Sequence, residues 1–242
     1  MPAKEGERQQ GISEDDLQGV DAERYYAIRK QFYRDPKIAE SYDDHRISGS
    51  RSSRHRAEWR AIRKALARAG SVRELLDLPT GTGRFLAQLL EAGVSVTGAD
   101  ISREMMGQAR ARLDDGASGR APGFVQCEAE AMPFKDGAFD CVASIRFFMH
   151  LTPEVRVAVL REAARVSRRW VLVDYRHRHA PRNAFKRWAH ALGLRKTPAP
   201  PRVSREQMHE ELRAAGLQEA EIFVVTPVLS DKWFVLAEKA GP

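Results

Sequence analysis

The stretch from Leu75 to Phe85, Leu-Leu-Asp-Leu-Pro-Thr-Gly-Thr-Gly-Arg-Phe, constrains this chain more than any other. Leu75, Leu76 and Leu78 form a short apolar run of the sort that fills the centre of a parallel sheet. Gly81 and Gly83 give the backbone freedom where a ligand must come close, and Arg84 to Ala92 reads as a helix. A strand that breaks into a glycine turn and launches a helix is the nucleotide-binding corner of doubly wound α/β proteins. The turn offers backbone amides, and its missing side chains leave room.

The turn alone does not name the nucleotide. A dinucleotide fingerprint needs Gly-x-Gly-x-x-Gly, but Leu86 stands three residues after Gly83 and Pro79 precedes Thr80, which argues against NAD. The next strand supplies the other half of the unit. Val94-Ser-Val-Thr-Gly-Ala-Asp100 alternates and stops on an acid, about 20 residues beyond Asp77, as a βαβ unit requires. A carboxylate at that strand end accepts hydrogen bonds from both ribose hydroxyls of an adenosyl group. The plainer reading of Asp100 is an exposed loop aspartate.

Asp77-x-Pro79-x-Gly81-x-Gly83 resembles motif I of class I S-adenosylmethionine-dependent methyltransferases, with proline at the place of the first glycine, which removes one amide donor. The run from Cys127 to Ser144, Cys-Glu-Ala-Glu-Ala-Met-Pro-Phe-Lys-Asp-Gly-Ala-Phe-Asp-Cys-Val-Ala-Ser, resembles the acidic-Ala-Glu-x-Leu-Pro-Phe-x-Asp-Gly-x-Phe-Asp signature of the methyltransferase type 11, ubiquinone/menaquinone methyltransferase-like, family. Met132 replaces the usual leucine and Glu128 the usual aspartate.

This resemblance implies a Rossmann-like α/β domain with a seven-stranded, mostly parallel sheet ending in an antiparallel strand pair. S-adenosyl-L-methionine is the implied cofactor, and a small-molecule or lipid-like compound the implied methyl acceptor. The implied cofactor contacts are Asp77, Thr80, Gly81, Gly83, Asp100, Ile101, Glu128, Ala129 and Ser144. Among them Glu128 accepts from the adenine amino group, with Glu130 as its substitute, and the Ala129 amide donates to a ring nitrogen. Ile101 packs on the adenine face, and Ser144 ends a strand that faces the sulfonium. His150, in Met149-His150-Leu151, falls where relatives carry His-His-Leu. It reads as a general base for a hydroxyl or phenol acceptor or, the favoured reading, as a structural histidine capping the next helix.

The remaining chain is placed around this core. Residues 1–20 lack apolar periodicity and read as a disordered polar tail. Residues 21–53 carry Tyr25, Tyr26, Phe32 and Tyr33 and resemble the segment that covers the cofactor in small-molecule methyltransferases, with Tyr42 as its candidate lid residue. Residues 54–242 form the methyltransferase domain. A helix is expected over Arg54–Ala69, another over Pro153–Ser167, a fifth strand over Trp170–Asp174 and a final strand pair over Glu221–Leu229 and Lys232–Glu238. Residues 175–203 read as a basic insertion: a lid over the substrate, or an amphipathic surface touching an anionic membrane.

No run of eighteen apolar residues and no signal-peptide pattern is present, so the cytoplasm is the expected compartment. Cys127 and Cys141 read as buried, inert thiols, and no zinc spacing appears. The net charge of +7 admits acidic partners, but no RNA-module motif accompanies it, which disfavours nucleic acid. A non-catalytic adenosyl-ligand-binding module and an RNA methyltransferase remain as alternatives.

Overall fold

The computed structural model describes residues 22–34, 50–114, 122–178, 202–225 and 230–241. The expected tail, Tyr42 and residues 179–201 of the basic insertion lie outside the described residues. Helix α1 spans Ala22–Arg34 and α2 Ser50–Ala69; strand β1 (Glu74–Asp77) then leads through the glycine turn into α3 (Leu86–Glu91). There follow β2 (Ser95–Asp100), α4 (Arg103–Asp114), β3 (Gly123–Gln126), β4 (Phe139–Ser144) and a single 3-10 turn over Phe148–His150. The chain closes with α5 (Pro153–Val166), β5 (Ser167–Arg176), α6 (Arg205–Ala214), β6 (Leu217–Val224) and β7 (Lys232–Lys239).

The strands form one seven-stranded sheet in the order β3-β2-β1-β4-β5-β7-β6. The first five are parallel, whereas β7 runs antiparallel to both β5 and β6. The expected architecture is therefore present, terminal antiparallel strands included. Leu76, Leu78, Val142, Val171 and Val173 face one apolar layer with Leu160 of α5 and Met208 and Leu212 of α6. Leu75, Cys141, Ala143 and Leu172 face the other, with Ile62 and Ala65 of α2, Leu86 of α3 and Ala109 of α4. Burial on both faces explains why β1 and β4 read as near-continuous apolar runs. Burial within β4 pushes the Cys141 thiol up to about 12, and partial burial beside Asp100 pushes Cys127 up to about 11, as expected of inert cysteines.

Several features differ from the sequence reading: α2 starts at Ser50 rather than Arg54, so it crosses the expected break between residues 53 and 54, and α3 covers Leu86–Glu91 rather than Arg84–Ala92. Strand β5 is longer because its start pairs with β4 through Phe139 and Ser167, and its end pairs with β7 as far as Arg176 and Lys232. Strand β6 starts at Leu217, immediately after Gly216, because its pairing with β7 recruits Gln218 and Glu219, whose polarity hid the strand. The cap of α5 is Thr152, whose Oγ1 accepts from the Val155 amide at 3.5 Å, with Pro153 in the first turn. His150 thus does not cap that helix.

A buried polar knot fixes the α5–α6 side to the sheet. Arg156 donates Nε and Nη2 to Glu211 (2.9 and 2.5 Å), and the Tyr175 hydroxyl donates to the same carboxylate at 2.8 Å. The remaining Arg156 nitrogen, Nη1, donates to the Leu151 carbonyl at 2.8 Å. A bidentate pair of this kind is geometrically specific, and here it holds the segment between β4 and α5 that borders the crevice described below.

Candidate active site

Strand order reverses between β1 and β4, so the crevice at their carboxyl ends is the topological switch point where open α/β sheets bind ligands. The glycine turn after β1 forms one lip. Gly81 has φ +54°, and a Cβ there would meet nothing within 4 Å, so the turn is open above it. Gly83 serves packing instead. Its Cβ would lie 2.9 Å from that of Ala109 on α4, and with φ +75° the position admits no larger residue without strain.

The amides of this turn are used inside the protein. Thr80 N–H donates to the Ala99 carbonyl at 2.8 Å, and Gly83 N–H to the Thr80 carbonyl at 3.0 Å. Gly81 N–H donates to Asp100 Oδ2 at 2.7 Å, and Ser102 N–H to Asp100 Oδ1 at 2.9 Å. Asp100 is thus not an exposed loop residue: it is 4% exposed and clamped in one orientation at the end of β2. Burial raises its pKa, opposed by these amides. Each oxygen still has acceptor capacity. Asp77 lies beside it, accepts from Thr80 Oγ1 at 3.0 Å, and is pushed by burial up to about 7.

On the other side of the crevice, Leu78, Pro79, Ile101, Cys127, Ala129 and Glu130 join Phe147, His150 and Leu151 around a small cavity. Its remaining wall is α1, through Tyr26, Lys30 and Tyr33. The cavity is about 40 Å³, room for a few waters and none for a purine. Charge holds α1 in place. Lys30 Nζ lies 2.7 Å from both Glu128 Oε2 and Glu130 Oε1, Arg34 Nη2 lies 3.1 Å from Glu128 Oε1, and the Tyr26 hydroxyl donates to Glu130 Oε2 at 2.8 Å. The bond from Lys30 holds the Glu128 carboxyl below its usual range. Burial and Glu130 push the Tyr26 phenol well above its own.

The structure therefore brings Asp77, Thr80, Gly81, Asp100, Ile101 and Ala129 to one crevice, with Gly83 behind them as a packing residue. It gives Glu128 to the cations of α1. Ser144 is buried at the end of β4, and its hydroxyl has no hydrogen-bond partner among the described residues. His150 stands on the cavity wall, its ring 6.2 Å from that of Tyr33.

A charged cluster that the sequence does not reveal sits on the α2 side. Glu58 of α2 meets Lys232 Nζ at 3.0 Å and Arg84 Nη2 at 3.1 Å, and Lys232 Nζ lies 2.9 Å from Asp174 Oδ2. The other Asp174 oxygen accepts from the Arg146 backbone amide. Burial opposes ionisation of Glu58, but Lys232 and Arg84 outweigh it and lower its pKa. The only sequence signal was an acid at position 58 amid arginines, which looks like a solvated helix face. Among the described residues no group of His, Cys, Asp and Glu side chains is arranged to hold a metal, and no helix is long and apolar enough to cross a membrane.

A seven-stranded sheet of this order, with its crevice between β1 and β4 and an acid closing β2, is the class I methyltransferase fold. Residues 75–169 match the family described as "Methyltransferase domain", so the resemblance drawn from the two motifs is borne out there. Over 86 residues the chain is 40% identical to a demethylmenaquinone methyltransferase of Thermus thermophilus, covering 35% of this chain and 38% of that one. Over 116 residues it is 38% identical to the ubiquinone/menaquinone biosynthesis C-methyltransferase UbiE of Xylella fastidiosa, covering 46% and 44%. The matches span less than half the length of these relatives. The magnesium protoporphyrin IX methyltransferase of Synechocystis PCC 6803, solved with bound SAH, superposes with a TM-score of 0.71 at 16% identity, covering 89% of this chain and all of that one. At that identity the likeness is one of fold.

Proposed function

We propose that this protein transfers the methyl group of S-adenosyl-L-methionine to a small-molecule or lipid-like acceptor. The observation that carries the reading is Asp100, a buried carboxylate fixed by two backbone amides at the switch point, beside a turn left open above Gly81. The residues present suit an adenosyl ligand: Asp100 has lone pairs for a ribose diol, Ile101, Leu78 and Ala129 form an apolar wall, and Asp77 offers a carboxylate to a cationic ligand. The cofactor supplies a methyl group already activated by positive sulfur.

The protein's share of the reaction is then positioning and exclusion of water, which together contribute up to about 7–11 kcal/mol. Asp100 and the glycine turn fix the adenosyl end, and the crevice between β1 and β4 directs an acceptor toward Ser144 at the end of β4. His150, on the cavity wall next to Phe147, is placed to accept the proton of a hydroxyl or phenol acceptor. A panel of phenols, hydroquinones and amines incubated with tritiated-methyl cofactor tests the acceptor class. Label in a phenol or hydroquinone supports the reading, and label in none of them counts against it.

In this reading α1 is a lid that must shift before a purine enters, because its side chains leave only the small cavity. The pairs on Glu128 are partly exposed, and such pairs contribute only tenths of a kcal/mol each. Replacing Lys30 and Arg34 with Ala is expected to raise the association rate of S-adenosylhomocysteine several-fold in stopped-flow binding, with little change in melting temperature. An unchanged rate would show that α1 does not gate the site.

A further inference from the structure

The α2 side of the crevice carries more positive charge than negative. Its two carboxylates, Glu58 and Asp174, are each about 1% exposed, and three cations face them: Lys232, Arg84 and Arg146. Lys232 bridges the carboxylates and Arg84 takes the second oxygen of Glu58. The second oxygen of Asp174 is occupied by the Arg146 backbone amide rather than by a guanidinium. His55, the remaining titratable neighbour, adds no negative charge. Among these five groups the cations are in excess by one, with Glu58, Asp174 and Lys232 buried and Arg84 and Arg146 partly exposed.

That surplus falls on Arg146. Its charge acts on Glu58, yet its guanidinium makes no hydrogen bond or ion pair with any described residue, although the residue is half-buried. A second, independent feature marks the same residue. Arg146 has φ +64°, and it is the one non-glycine position in the left-handed region among the described residues. Such a conformation persists only where the surroundings impose it, and it clusters at ligand sites. Here Asp174 holds it, directly after β4 at the switch point and next to Phe147 of the cavity wall.

We propose that Arg146 is a carboxylate-binding residue of the methyl-transfer crevice. This rests on the functional reading above. The planar fork of arginine is matched to a carboxylate, which it binds through two parallel hydrogen bonds. Two ligands present that group at this place: the amino-acid end of the cofactor, and an acceptor that is itself an acid.

Calorimetry on the full chain separates the two sources. S-adenosylhomocysteine carries the carboxylate, and 5′-methylthioadenosine is the same adenosyl thioether without the amino-acid end. If the cofactor is the source, Arg146→Gln weakens S-adenosylhomocysteine at least tenfold and leaves 5′-methylthioadenosine unchanged, and Arg146→Lys recovers part of the loss. If an acceptor is the source, both adenosyl ligands are unaffected. Wild-type protein saturated with S-adenosylhomocysteine then binds benzoate or decanoate, but not benzamide or decanamide, and Arg146→Gln abolishes that binding.

Arg146→Gly controls for the backbone, since glycine suits the left-handed conformation. It is expected to lose the ligand as Arg146→Gln does while melting no lower than wild type. The proposal is overturned if Arg146→Gln changes neither class of ligand, if it weakens both adenosyl ligands alike, or if Arg146→Gly binds as wild type does. Failure of the wild type to bind any adenosyl ligand would instead sink the functional reading beneath it.

Discussion

Asp100→Ala is expected to weaken S-adenosylhomocysteine binding at least about 100-fold, since two hydrogen bonds to a charged acceptor contribute about 1.5–3 kcal/mol each. The structure adds a second reason for a large effect. Asp100 also terminates the Gly81 and Ser102 amides, so its removal leaves two donors without an acceptor and loosens the turn that borders the ligand. Asp100→Asn keeps one carbonyl oxygen and is expected to fall between wild type and Ala. Calorimetric titration of the three proteins measures this directly. Equal affinities would remove Asp100 from the site.

The second large effect belongs to Asp77 and runs in opposite directions for stability and binding. Burial pushes its carboxyl up to about 7 in the folded protein, from an ordinary value of about 3.9. The folded state therefore holds the proton more tightly than the unfolded state. The resulting stabilisation is full below about 4 and is lost as pH rises through about 7, a loss on the order of 4 kcal/mol. Asp77→Asn retains an acceptor for Thr80 Oγ1 and has no charge to bury. It is expected to melt several degrees above wild type at pH 8 and level with it at pH 4.5.

Binding responds with the other sign. The positive charge of S-adenosyl-L-methionine favours ionised Asp77, so wild-type affinity should rise as pH rises through about 7, with proton release, and Asp77→Asn should flatten that profile. Scanning fluorimetry and calorimetry at both pH values check the pair of effects. A variant that gains no stability at pH 8 would show that the carboxylate carries no burial penalty.

Much of this was legible because the informative residues are close in sequence. Leu75 to Gly83 encode a buried strand and an open turn within one turn's reach, and Asp100 is marked by alternation that stops on an acid. The residues that close the site are dispersed. Lys30 and Glu128, or Glu58, Asp174 and Lys232, are separated by about a hundred residues or more along most of their pairings, and each alone reads as a solvated charge on an amphipathic surface. Strand β6 was misplaced because an edge strand, paired on one edge only, tolerates polar residues such as Gln218, Glu219 and Glu221. His150 was read as a cap since it precedes a helix, but Thr152, two residues on, provides the side-chain oxygen such a position needs. The strain at Arg146 left no trace in sequence at all, because it arises from Asp174 on a neighbouring strand.

Titration of the purified protein with S-adenosyl-L-methionine, S-adenosylhomocysteine and NAD decides which ligand the crevice takes. Micromolar binding of both adenosyl sulfur ligands is expected, weaker below pH 7 for the cationic one, with no binding of NAD. Binding of NAD, or of none of the three, would contradict the proposed function.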